Sequence, residues 1–310
     1  MQEILTISFE ENIKLDPCLF WAEPYGSDLI DSLDALGQMI PVLVHRDGDS
    51  LVLIAGYKRY QSLKKLLKKI KALRIDAPDP WDKGVAYLLS NQGQGLDPGR
   101  IIRALRYFKP LNKDMHRIYQ ILGIPERARE KHLYKAWLKL PPVWDELLIK
   151  NPQLLPNAHA LSLLEPQDLE VLFPFLDGLA WSRNKARIFL ELLDRTSSGK
   201  AGNIREVPGL LNLDKLLVKD LTPRDKMEAM LKVLYRAAYP EYYKLMDKAE
   251  KDINRLTSAT GWSCIHTDHF ESQDLEFRIR VRSPGELKVA ADQLRKMADS
   301  ELLSHWPVSP

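Results

Sequence analysis

Leu51-Val52-Leu53-Ile54-Ala55-Gly56-Tyr57-Lys58-Arg59-Tyr60-Gln61-Ser62 runs an apolar segment through one glycine into a basic helix. A strand that delivers a glycine to a helix start leaves backbone N–H groups uncovered. Those donors, the positive end of the helix dipole and two adjacent cations together make an anion site. The same residues also suit a solvated basic helix, or one that meets DNA phosphate directly. Upstream, Pro41 to Arg46 reads as a strand, and Asp47-Gly48-Asp49-Ser50 as the hairpin turn that returns it. Asp28 to Leu36 reads as a short amphipathic helix closed by Gly37. Downstream, Leu63, Leu66, Leu67 and Ile70 lie on one helical stripe. A further strand is expected over 73–77, and Pro78-Asp79-Pro80 breaks the pattern.

The chain has 310 residues, enough for two or three domains with their own cores. No apolar run approaches the roughly 20 residues of a membrane helix. The first nine residues carry one acid, Glu3, and no base in place of a basic leader, so no secretory signal is expected. Cys18 and Cys264 lie far apart and suit a reducing compartment, so a cytoplasmic location is expected. The net charge of +3 is unevenly spread: 57–75 carries eight Lys or Arg and no acid, and 113–139 carries seven bases against three acids. Concentrated positive charge on an otherwise acidic chain suggests a polyanion partner, although a solvated helix face accounts for charge alone equally well.

Residues 98–195 read as helical nearly throughout. A helix over Asp114 to Leu122, the turn Gly123-Ile124-Pro125 and a helix running to Leu140 match a helix-turn-helix. Pro125 to Lys139 is then the reading helix, with Glu126, Arg127 and Arg129 near its start and Leu133, Ala136 and Trp137 on its buried side. Arginine pairs bidentately with guanine edges. Lys113, Arg117, Lys131 and Lys135 are placed to touch phosphates. A plain helical bundle with solvated bases is the alternative.

Thr196 to Asn203 is small, polar and glycine-rich, and marks a linker. Beyond it, a long amphipathic helix runs from Met227 to Leu256, bent at Pro240. Leu275 to Arg282 alternates as a strand, Ser283-Pro284-Gly285-Glu286 is a capping box, and Leu287, Ala290, Ala291 and Leu294 line a last helix. The expected class is α+β. The expected order is a mixed N-terminal domain over 1–97, a helical domain over 98–195, a linker over 196–222 and an α+β domain over 223–310. His266-x-Asp268-His269 reads as a surface loop, not a metal site. The seven tryptophans read as core or interface groups, and no serine or cysteine has a nucleophile's context, so neither a catalytic residue nor a metal ligand is assigned.

The order of these motifs resembles the ParB family of DNA-partition proteins over roughly residues 25–165. That family carries Gly-Glu-Arg-Arg-x-Arg where this chain has Gly56-Tyr57-Lys58-Arg59-Tyr60-Gln61. Its Glu-Asn-x-x-Arg appears as Ser90-Asn91-Gln92-Gly93-Gln94, and its Leu-Asn-Pro helix start as Leu96-Asp97-Pro98. Leu138-Lys139-Leu140-Pro141 matches the end of its helix-turn-helix, and Asn157 to Leu161 a later element. The resemblance implies a ParB/sulfiredoxin-like N-terminal domain. It also implies double-stranded DNA as partner, a homodimer, a ParA-type ATPase beside it, a nucleoid or plasmid location, and CTP with Mg2+ as ligand. Gly56, Lys58 and Arg59 would hold the triphosphate, Gln38 to Pro41 would lie beside the base, and Asn91 would reach a phosphate or a metal-bound water. Ser90 replaces a metal-holding carboxylate and Gln94 a cation, which leaves CTP binding with at most weak hydrolysis. Two other readings stay open: a transcription regulator without a partition role, and a nucleotide-using enzyme with a ParB-like domain. The enzyme needs a catalytic carboxylate near Gly56, and none stands in motif position. Sulfiredoxin's reactive cysteine position is Tyr57 here, so a redox enzyme is not expected.

Overall fold

A computed structural model describes residues 4–23, 26–93, 95–125, 127–265 and 275–300. The His266 motif, Gln94, Glu126 and Trp306 lie outside them. The strands are β1 Ile4–Ile7, β2 Lys14–Leu15, β3 Val42–Asp47, β4 Ser50–Ala55, β5 Ile70–Arg74, β6 Ser263–Ile265 and β7 Glu276–Arg278. The helices are α1 Ser27–Leu36, α2 Tyr57–Lys65, α3 Pro80–Ser90, α4 Pro98–Phe108, α5 Met115–Ile121, α6 Arg129–Trp137, α7 Asp145–Lys150, α8 Ala158–Leu161, α9 Pro166–Leu176, α10 Arg183–Thr196, α11 Val207–Leu210, α12 Asp214–Leu217, α13 Pro223–Ala238, α14 Pro240–Thr257 and α15 Pro284–Ala298. The class is α+β. No helix among the described residues is long and apolar enough to cross a membrane.

The N-terminal sheet has the order β1-β5-β3-β4-β2, with β3–β5 and β2–β4 parallel and the other pairs antiparallel. Val42, Val44, Leu53, Ile54, Ile70 and Ala72 are buried in it. The hairpin forms as expected, with Gly48 at φ 58. The apolar stripe beyond Tyr57 misleads, however. Helix α2 ends at Lys65, Leu67 turns to φ 54 and is exposed, and Ile70 is the first residue of β5. The strand expected over 73–77 therefore lies over 70–74. Helix α3 is an addition to the expected elements, although Asp79 caps it by accepting from Asp82 N at 2.9 Å and Pro80 stands at its first position.

Asp16 organises the segment between β2 and α1. One carboxylate oxygen accepts from Cys18 N at 2.9 Å and the other from Lys83 Nζ at 3.0 Å. The Cys18 thiol is fully buried, 3.8 Å from Ile54 O, and burial first, then the Asp16 charge, pushes its pKa far up. Native protein therefore leaves Cys18 unlabelled by a disulfide reagent at pH 8, and unfolding exposes it; rapid native labelling would refute its burial. The unfolded thiol ionises near its ordinary value of about 8.5 while the folded one stays protonated. Its contribution to stability thus declines as pH rises above that value.

The helical segment packs around tryptophan. Trp137 and Trp144 are buried on α6 and beside α7, and Trp181 donates to Phe175 O at 2.9 Å. Asp145 is buried and accepts from Trp137 Nε1 at 3.1 Å and bidentately from Arg106, whose Nη2 lies 3.0 Å from Oδ1. That guanidinium also donates to Leu140 O at 2.8 Å. Phe20, Trp21, Tyr87, Tyr107 and Phe108 form an aromatic cluster of edge-to-face and tilted contacts that joins the 16–23 segment to α3 and α4.

The chain divides into two compact units. One holds 1–191 and 214–228, the other 192–213 and 229–310. Residues 196–222, expected as a linker, are folded: Thr196, Ser197, Val207 and Leu213 are buried, and α11 and α12 fall within the stretch. The single long helix expected over 227–256 is two, α13 and α14, because Tyr239 leaves helical geometry and Pro240 starts the second. The eight-residue strand shortens to β7, paired with β6. The capping box forms, with Glu286 N donating to Ser283 Oγ at 3.2 Å and Arg282 N to Glu286 Oε2 at 2.7 Å. Helix α15 buries Ala290 and Met297, and exposes Leu287, Ala291 and Leu294, three of the four residues expected to line it.

Candidate anion site and nucleic-acid interface

Strand β4 ends buried and hands the chain to Gly56 at φ 91, ψ 26. A Cβ there would lie 2.9 Å from Val42 Cγ1 and 3.2 Å from Val42 Cα, so only glycine fits the close approach to β3. No side chain caps the start of α2. Its amides are oriented by a backbone that the sheet holds in place.

The cations beside it are partly engaged. Arg59 Nη1 donates to Ile40 O at 2.8 Å and Pro41 O at 3.0 Å, and burial draws the guanidinium pKa below its ordinary value. Arg59 thus staples the 38–41 loop to α2. Lys58 Nζ donates to Glu23 Oε2 at 3.3 Å. Gln38 does not offer its side chain to a ligand. Its Nε2 donates to Ile40 O at 3.0 Å and Lys71 O at 2.8 Å, and its Oε1 accepts from Lys71 N at 2.6 Å. Buried, with both amide hydrogens engaged, it pairs with Lys71 of β5 as a backbone peptide would. Asn91 caps α3, with Nδ2 donating to Tyr87 O at 2.7 Å and Ser90 Oγ at 3.2 Å, so this amide nitrogen is turned back onto its own helix.

Arg100, on α4, belongs to no motif that the sequence singles out. Its Nη2 lies 3.5 Å from the same Glu23 oxygen that holds Lys58, and its Nη1 donates to Gly95 O at 3.0 Å. Pro98-Gly99-Arg100 opens α4, and a cation in a helix's first turn is unfavourable for the helix, which is the available signal. The donor set of amides and cations suits phosphate. It does not suit a magnesium ion held by the protein, which prefers charged oxygen ligands. No metal-ligating cluster of His, Cys, Asp or Glu occurs among the described residues.

The second basic region is built on α5 and α6. Helix α5 closes with Gly123 N donating to Gln120 O at 3.0 Å and Ile124 N to Tyr119 O at 2.8 Å, with Gly123 at φ 69. Ala128 N then donates to Pro125 O at 3.0 Å, Ala128 is extended, and α6 begins only at Arg129. Arg127 therefore lies in the turn and Arg129 opens the helix, whereas the sequence places both on the helix. Tyr134, Ala136 and Trp137 are the buried side of α6, and Leu133 is only half-buried. Arg117, Arg127, Arg129 and Lys135 are exposed. Lys131 lies over the Tyr119 ring at 4.9 Å. Lys113 pairs with Asp79 at 2.7 Å, so it ties the start of α5 to α3, and this bond with Asp82 N–H holds the Asp79 carboxyl below its usual range.

No family model matches the chain. The chromosome-partitioning protein Spo0J of Thermus thermophilus is 28% identical over 149 residues, which is 48% of this chain and 55% of that protein. The chain thus spans about half the length of the curated relative it matches. The solved structures it resembles include a C-terminally truncated chromosome-partitioning protein ParB of Caulobacter crescentus complexed with CTP-γ-S. That match is 16% identical, covers 52% of this chain and 92% of the other, and has a TM-score of 0.26. A Pnob8-like ParB-N domain is 20% identical, covering 80% and 97%, with a TM-score of 0.33. The motif order resembles that of the ParB family, and the curated relative that the chain matches is a chromosome-partitioning protein.

Proposed function

We propose that this chain is a DNA-binding partition protein that reads duplex DNA with α5 and α6 and holds a cytidine nucleotide at the start of α2. The observation that carries the reading is the one-sided character of α5–turn–α6. Arg117, Arg127, Arg129 and Lys135 are exposed, while Ile118, Tyr134 and Trp137 are buried on the opposite side. A basic face on a helix pair fixed by an aromatic core is the footprint of a DNA reader. The partition role rests on the description of the Thermus relative. The nucleotide rests on the Gly56 turn, the uncapped α2 start and the glycine-cation motif that resembles the family's. Triphosphate binds at the α2 amides and Lys58, and the loop stapled by Arg59 lies beside the base. Hydrolysis is not assigned: Glu23, the carboxylate that meets this cluster, is ion-paired to Lys58 and Arg100.

Self-association belongs to the same proposal. Leu287, Ala291, Leu294 and Ala298 are exposed at alternating spacings of four and three along α15, the period of a two-helix seam. A ParA-type ATPase as partner and a nucleoid or plasmid location follow from the partition role.

Binding of the full chain to fragments of its own replicon, measured by fluorescence anisotropy across a salt series, tests the reading. Arg129→Ala should weaken binding to the preferred fragment about tenfold and relax its sequence preference, with Arg127→Ala acting in the same direction. Arg117→Ala should weaken all fragments alike and flatten the salt slope by about one. An equal loss on every sequence for Arg129→Ala would displace α6 as the reading helix.

A further inference from the structure

We propose that Glu23 is a built-in anion that sits on the Lys58–Arg100 cation pair, and that a polyphosphate must displace it to reach those two groups. Arg100 is thereby a phosphate-binding residue of the site. This inference rests on the nucleotide reading above and adds to it the residue that competes with the ligand and the third cation that receives it.

One carboxylate oxygen, Glu23 Oε2, is shared between Lys58 Nζ at 3.3 Å and Arg100 Nη2 at 3.5 Å. A single oxygen bridging two cations from helix starts far apart in sequence is the arrangement a non-bridging phosphate oxygen takes between a lysine and an arginine. The carboxylate is positioned from its own side. Trp21, two residues earlier, is buried and donates from Nε1 to Arg100 O at 2.7 Å, and Phe20 and Trp21 are locked in the aromatic cluster with Tyr87. The chain therefore delivers Glu23 to Arg100 whether or not a ligand is present. Arg100 is aimed by its other contacts: Nη1 to Gly95 O and Nε 3.7 Å from Asp97 Oδ2.

The strength of the contact suits displacement. Lys58 and Glu23 side chains are 46% and 40% exposed, so the pair is solvent-screened and cheap to break. A triphosphate carries several charges against the one carboxylate and gains the α2 amides as well. The same carboxylate repels a phosphate that arrives while it is still seated, so it sets a threshold on ligand charge. Monophosphates and single anions compete with Glu23 on near-equal terms, and polyphosphates exceed it. The family pattern places a glutamate directly after the glycine, where this chain has Tyr57. The carboxylate of this site comes instead from Glu23, on a separate segment before α1.

Isothermal titration of the full chain at low salt, with inorganic triphosphate in one arm and a short mixed-sequence duplex in the other, tests the inference. Glu23→Gln should bind triphosphate about three- to fivefold more tightly than wild type and the duplex unchanged. Arg100→Ala should bind triphosphate about tenfold more weakly, with Arg100→Lys in between. Adding Glu23→Gln to Arg100→Ala should give less gain than it gives alone. Thermal midpoints confirm that each variant is folded. Equal triphosphate affinity in wild type and Glu23→Gln overturns the competing anion and leaves the nucleotide site standing. An equal gain in the duplex arm overturns it too, since the change is then one of overall charge. Absence of triphosphate binding in every protein overturns the nucleotide reading and this inference together.

Discussion

Asp145→Ala should lower the unfolding free energy by about 3–5 kcal/mol, seen as a large fall in the urea midpoint without loss of cooperativity. The carboxylate is buried at the first turn of α7 and serves two donors, one of them charged. Alanine leaves the Arg106 guanidinium and the Trp137 indole N–H facing each other without their shared partner. The cost lies in the orphaned charge rather than in the lost attraction. Replacing both ends of the pair, as Arg106→Met with Asp145→Leu, should therefore be milder than Asp145→Ala alone. A change under about 0.5 kcal/mol, the scale of a surface substitution, would show that water satisfies these groups. The functional consequence follows from place: Asp145 holds α4 and α7 against Trp137, the last residue of the proposed reading helix.

Gly56→Ala should cost about 2–4 kcal/mol and abolish triphosphate binding in the same titration. Two independent effects add. The backbone lies at φ 91, which alanine adopts only under strain, and the new methyl would meet Val42 at 2.9 Å. Val42 is fully buried in the sheet, and its own Cα stands 3.2 Å away, so the neighbour cannot yield. Relief comes only by rotating the turn, which re-aims the amides of α2. Stability near wild type with binding lost would assign the glycine to the ligand alone; wild-type values in both measurements would refute the close approach.

The hairpin, Gly56 and the start of α2 are legible in the sequence because their determinants are local: a turn pair, a glycine and the residues beside them. The helix starts at Pro98 and Pro284 are legible for the same reason. Helix α2's end is not, because Leu66 and Leu67 continue a helical stripe while the tertiary structure spends Ile70 on a strand. Glu23 and Arg100 are invisible as a pair, since seventy-seven positions separate them and Trp21 makes the join. Gln38 reads as a ligand contact because nothing local reveals that its amide matches the backbone of Lys71. On α15 the helical period is plain in the sequence but its facing is not. Two apolar faces exist, and only packing tells which one, through Ala290 and Met297, is inside.

Both borders of the five-stranded sheet come from the first fifteen residues, β1 on one flank and β2 on the other. A chain shortened past Leu15 would bare the ladder groups of β5 and of β4 at once, two templates on opposite flanks of one molecule. Such a fragment would offer an edge for strand addition on each flank, so the opening residues close the sheet to a neighbour as well as adding to the fold.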